Sequence, residues 1–69
     1  MTQTIEATVT ATVPDFHQVR LDGDDDHKYA VTGRTGGIRW EQLREGQRVR
    51  CVVTTDSMRR VVVVLEVLG

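Results

Sequence analysis

The sequence predicts an all-β protein: a five-stranded antiparallel barrel with one short helical turn between the third and fourth strands. Three observations carry that prediction. Apolar and polar residues alternate through most of the chain, turn-forming residues break the alternation at short intervals, and no apolar run has helical spacing for more than one turn. The 69 residues leave room for a single domain, 1–69. A chain this short buries only about 60% of the surface its unfolded form exposes, so its core has to be compact and nearly complete.

Each element follows from its own pattern. Ile5, Ala7, Val9, Ala11 and Val13 alternate with Glu6, Thr8, Thr10 and Thr12, a first strand with one buried face. Pro14-Asp15 ends it, because proline has no N–H for the ladder. Val19 and Leu21 then face inward and Gln18 and Arg20 outward on a second strand. Gly23-Asp24-Asp25-Asp26 reads as a hairpin turn in which glycine supplies the positive φ. Tyr29 and Val31 are the inward residues of the third strand, which stops at Gly33. In 38–44, Trp40 and Leu43 stand three apart, as one short helical turn plugging the barrel end would place them.

The fourth strand, 48–54, turns Val49, Cys51 and Val53 inward and Arg48 and Arg50 outward. After Asp56-Ser57 the fifth runs from Met58 or Arg59 to Leu68. Strict alternation puts Val61, Val63, Leu65 and Val67 inward, and Val62, Val64 and Leu68 outward beside Val52. Closure would keep the valine run off a free edge, where it would be an aggregation hazard. The five-stranded Greek-key barrel known as the OB-fold accommodates this order. The 38–44 turn favours it over a small SH3-like barrel.

Composition narrows the class of function. Charged residues are 28% of the chain and hydrophobic ones 39%, a soluble globular balance with a net charge of −1. The first residues have neither a basic head nor an apolar run, and 61–68 is too short to span a bilayer, so a cytoplasmic protein without membrane contact is expected. One cysteine excludes an internal disulfide, and Cys51 reads as a small core residue. Asp22, Asp24, Asp25 and Asp26 invite a calcium loop, but its sixth and twelfth positions would be His27 and Gly33. No metal or cofactor is expected. Ser57 is the sole serine and neither His17 nor His27 has a recognisable partner, so the chain is expected not to be an enzyme.

A family resemblance rests on residues in order: Ala7-Thr8-Val9-x-x-Thr12-Val13-Pro14, then Val19-Arg20-Leu21, Val31-Thr32-Gly33-Arg34, and Leu43-x-x-Gly46-x-x-Val49. Over 5–63 this succession resembles bacterial translation initiation factor one and, more loosely, its cold-shock and ribosomal-protein RNA-binding relatives. The resemblance implies a cytoplasmic OB-fold that binds RNA, in that family the small ribosomal subunit. By position, Arg34 matches a basic residue just after the third strand, and Arg39 with Trp40 a basic and aromatic pair beyond it.

The residues themselves add a charge asymmetry: residues 1–27 carry a net −5 and 28–69 a net +4. Nearly all the cations are arginines, whose planar forks suit phosphate and stacking on bases. Arg34, Arg39, Trp40, Arg48 and Arg50 are thus the candidate nucleic-acid-binding residues, for weak binding directed at the backbone of single-stranded or ribosomal RNA. Such arginines also solubilise a barrel, with Glu41 and Glu45 as expected partners. Of the aromatics, Tyr29 reads as core and Phe16, just past the bend, as packing at the barrel end. The alternative is a non-catalytic protein-interaction or homodimerising module, docking through the outward Val52, Val62 and Val64.

Overall fold

The computed structural model describes residues 1–69. The chain is mostly β, a curled six-stranded mixed sheet that forms a half-barrel. Its strands are β1 (Thr2–Val13), β2 (Gln18–Gly23), β3 (Lys28–Thr32), β4 (Gly36–Gly37), β5 (Arg48–Thr54) and β6 (Val61–Val67), and their order across the sheet is β3-β2-β1-β5-β6-β4. The two end strands, β3 and β4, are separated by only residues 33–35, so the sheet has to curl until its ends approach each other.

Six strands, not five, and one parallel pair among antiparallel ones correct the expected count and sense. Gly36 and Gly37 pair in parallel with Val63 and Val64. Gly37 has φ +80°, and a Cβ there would strike the Val64 carbonyl oxygen. Only glycine lets the chain lie so close to β6, and two glycines carry no alternation by which a strand is recognised.

β1 is the spine. It starts at Thr2 and pairs along its first half with β5 (Thr2↔Thr54 to Thr8↔Arg48) and along its second with β2 (Ala7↔Gly23 to Val13↔Gln18). Between them a 3₁₀ turn, Pro14–Phe16, joins β1 to β2, and a second, Trp40–Gln42, is the helical turn within 38–44. At the β2–β3 turn the left-handed residue is Asp26 (φ 67°) and not Gly23. Gly23 is required by space, since a Cβ there would lie 2.8 Å from Tyr29 Cε2 and 3.0 Å from Ile5 Cδ1.

The core is a cluster of Ile5, Ala7, Val9, Val19, Leu21, Tyr29, Val31, Leu43, Val49, Cys51, Val53, Val61 and Val64, with Ile38 and Trp40 packed against it. Burial pushes the Cys51 thiol up to about 11, which keeps it protonated and inert. Strands β2, β3 and β5 show the predicted faces. β6 does not. It begins at Val61, because Arg59 is left-handed (φ 34°) and the Asp56 carboxylate accepts from the N–H groups of Met58 and Arg59. Opposite β5, Val61 pairs with Val53, Val63 with Val52, Val64 with Cys51 and Glu66 with Arg50, leaving Val62 and Leu65 as extra residues. Each extra residue reverses the phase. Val64 is therefore fully buried, Val63 is half-buried and Leu65 is exposed; the second extra residue restores the phase, so Val67 pairs with Val49, yet at the end of the strand it is 39% exposed.

Candidate nucleic-acid interface

The outer face of β5 is built from cross-strand pairs. Register places Glu6 of β1 opposite Arg50, Thr8 opposite Arg48, and Glu66 of β6 opposite Arg50. Arg48 donates Nη1 and Nη2 to the two carboxylate oxygens of Asp24 at 2.9 and 2.6 Å, and reaches Glu6 at 3.3 Å and the Thr8 hydroxyl at 2.9 Å. Arg50 donates to Glu66 at 2.6 Å and lies 3.8 Å from Glu6. The Asp24 hydrogen bonds raise the Arg48 pKa further above its ordinary value and hold the Asp24 carboxyl below the usual range. Each such exposed pair adds little to stability, because solvent screens it. Together they set the charge of the face: three carboxylates match two guanidiniums, and no excess positive charge remains to attract phosphate. Of the two partners expected for the surface arginines, Glu41 pairs with Arg39 at 3.6 Å, and Glu45 forms no salt bridge.

A different cationic group lies where the sheet's ends approach. A cleft of about 540 Å³ runs between β3 and β6, lined by Ala30, Thr32, Arg34, Thr35, Arg59, Arg60, Val61 and Val62. Thr35 shapes its floor: its hydroxyl accepts from the Thr32 N–H at 3.0 Å, its own N–H donates to the Thr32 carbonyl, and Arg34 is thereby carried on a tight turn. Arg34 and Arg60 are both exposed, and neither has a carboxylate within 4.0 Å. Arg59 is engaged. It donates to the Tyr29 hydroxyl at 3.3 Å and lies 3.6 Å from Asp25, which in turn accepts from Tyr29 at 2.6 Å. Burial, reinforced by that hydrogen bond to Asp25, raises the Tyr29 pKa.

The aromatic residues gather elsewhere. His17, left-handed at φ 52°, stacks on Trp40 with ring centroids 5.2 Å apart and planes 13° from parallel. Trp40 rests on the core while Phe16 is 78% exposed, which corrects the expectation that Phe16 packs at the barrel end. The 3₁₀ turn that carries Phe16 buries none of its residues, so the bend turns the ring out. The five predicted residues thus occupy three places: Arg34 in the cleft, Arg39 and Trp40 around the His17 stack, and Arg48 and Arg50 in the charge-matched face.

No family model, curated protein or solved structure matches this chain. Arg59 and Arg60 were legible as cations but were not joined to Arg34, because doing so requires β3 and β6 to be neighbours. Of the predicted apolar patch, Val62 is 46% exposed and Val52 half-buried, but Val64 has no exposed surface and cannot take part. Three of the four aspartates of 22–26 are engaged, Asp22 with Lys28, Asp24 with Arg48 and Asp25 with Tyr29 and Arg59, and no group of three or more potential ligands is arranged for a metal ion. No helix is long and apolar enough to cross a membrane.

Proposed function

We propose that this chain is a cytoplasmic OB-type barrel that binds single-stranded RNA, chiefly by its phosphate backbone, at the cleft between β3 and β6. One observation carries the placement: Arg34 and Arg60 open onto the same cleft with no carboxylate within 4.0 Å, Asp56 acting on Arg60 only at longer range, whereas Arg39, Arg48 and Arg50 are matched within the molecule. Unmatched cations attract and hold phosphate, and matched ones first have to give up a partner. The OB assignment is supported by the central β1 shared between β2 and β5 and by the parallel contact with β6 just after β3. The resemblance to initiation factor one points the same way and makes ribosomal RNA the natural first target. Phe16 supplies the one open aromatic platform for a base, a contact worth about 1–3 kcal/mol.

Fluorescence anisotropy with a labelled dodecauridylate tests this. Binding at low salt should weaken as salt rises with a log–log slope of about −1.4, two contacts at about −0.7 each. R34E/R60E should abolish binding, and R50Q should change it less than about twofold. Absence of binding at low salt, or an unaffected R34E/R60E variant, refutes the reading.

A second reading has its own observation. Leu65 and Val67 of β6 and Leu68 just after it are 48%, 39% and 39% exposed, on the same strand as exposed Val62. Such a patch favours a protein contact or a homodimer through β6. Concentration-dependent sedimentation of the wild type that disappears in L65D would support it.

A further inference from the structure

The cleft has a feature that bare charge does not explain. Thr32 turns both its N–H and its C=O away from β2, toward Thr35. Strand residues two apart share orientation, so Ala30 turns its N–H and C=O the same way, into the cleft. No strand pairs with β3 on that side, since β3 ends the sheet and the parallel contact of β6 is confined to Gly36 and Gly37. Ala30 therefore offers one donor and one acceptor between the two free arginines and Val61 and Val62.

The seam is also blocked at both ends. At one end Arg59 closes across to Tyr29 and Asp25, and at the other Gly36 pairs with Val63. A continuous strand cannot thread such a seam, but one unit of it can be lowered in, and about 540 Å³ lies within the ~300–1,000 Å³ of small-molecule sites. We infer that the cleft seats one nucleotide of the bound strand, its phosphate between Arg34 and Arg60 and its base or ribose on the open N–H and C=O of Ala30. The inference rests on the RNA-binding reading for the strand but not for the seat. A guanidinium pair recognises the phosphate, and the adjacent donor and acceptor recognise a group that both gives and takes hydrogen bonds, as a base edge or ribose hydroxyl does.

The test is ¹⁵N NMR of the whole protein titrated separately with uridine monophosphate, adenosine monophosphate, inorganic phosphate and octauridylate. Saturable shifts at Ala30, Thr32, Arg34, Arg60 and Val62, tighter for a nucleotide than for phosphate, are expected. R34Q/R60Q, both at exposed positions, should weaken nucleotide binding by about tenfold or more. A30P removes the cleft N–H at an edge position and should weaken the nucleotide while sparing phosphate; its folding is read from the same spectrum. Phosphate binding as tightly as the nucleotides removes Ala30 from the site and overturns the inference. Octauridylate shifting only Phe16, His17 and Trp40 overturns the seat and leaves RNA binding standing. Nucleotides in the cleft without octauridylate binding support the seat and refute the RNA reading. No shifts with any probe refute both.

Discussion

A hydrogen atom in place of a side chain at Gly37 holds the curled sheet together. Its φ of +80° and the Val64 carbonyl lying against it leave no room for Cβ, and the neighbouring N–H of Ile38 donates to that same carbonyl at 3.0 Å. Gly37→Ala therefore strains the backbone and loosens the β4–β6 bridge. We expect a loss of at least about 1 kcal/mol in urea unfolding, against less than about 0.5 kcal/mol for Ala at Gly33, which has open space around it and no positive φ. Three aspartates act at the same scale. Arg48 holds Asp24 below the usual carboxylate range. For Asp25, burial pushes upward but is outweighed by the Tyr29 hydroxyl and the His27 N–H; for Asp56, burial is outweighed by the N–H groups of Arg59 and Met58. Groups with depressed folded pKa stabilise fully above their unfolded value, about 3.9, and lose that contribution as pH falls through the folded one. The melting temperature should hold steady down to about pH 5 and drop below pH 4, with a smaller drop in D24N.

At the scale of elements, β5 and β6 make opposite cases. In β5 arginine and threonine alternate with valine and cysteine, so the chemical contrast between faces sets the phase and every inward residue is read correctly. In β6 four consecutive valines offer no contrast, so nothing in the residues reports that Val62 and Leu65 stand outside the ladder. The misplacement of Val64 follows from that, and a single pair of variants checks it. Val64→Asp buries an unpaired charge against Cys51 and should leave the chain unfolded, whereas Val62→Asp sits in solvent and should melt within a few degrees of wild type. Circular dichroism of the two variants decides between the phases. β4 was illegible for a related reason: Gly36-Gly37 becomes a strand through where it lies, not through what its side chains are. The site was read unevenly on the same grounds. Arg34 was recognisable from its place after the third strand, but its companion Arg60 is 26 residues away in sequence and meets it only through closure.

Over the whole molecule, the two charged halves of the chain are folded against each other. The acidic half supplies Glu6, Asp24 and Asp25, and the basic half supplies Arg48, Arg50 and Arg59 that they engage. A net charge of −1 thus conceals an internal neutralisation that leaves four arginines without a carboxylate within 4.0 Å, Arg34 and Arg60 together at the cleft and Arg20 and Arg44 elsewhere on the surface. The consequence is specific. Asp24 grips Arg48 with two parallel contacts, the geometry a phosphate would use, so this carboxylate competes with RNA for the same fork. Removing the competing charges in E6Q/D24N should recruit Arg48 to the binding surface, while Arg50 stays with Glu66. The log–log salt slope of dodecauridylate binding should then steepen by about 0.7 per recruited arginine, and affinity at low salt should rise by about tenfold. The same substitutions should lower the melting temperature, since they remove the pairs that join β1 and the β2–β3 turn to β5. An unchanged salt slope in a folded E6Q/D24N protein would show that the β5 face lies off the path of the RNA even when Arg48 is free, and would confine binding to the cleft.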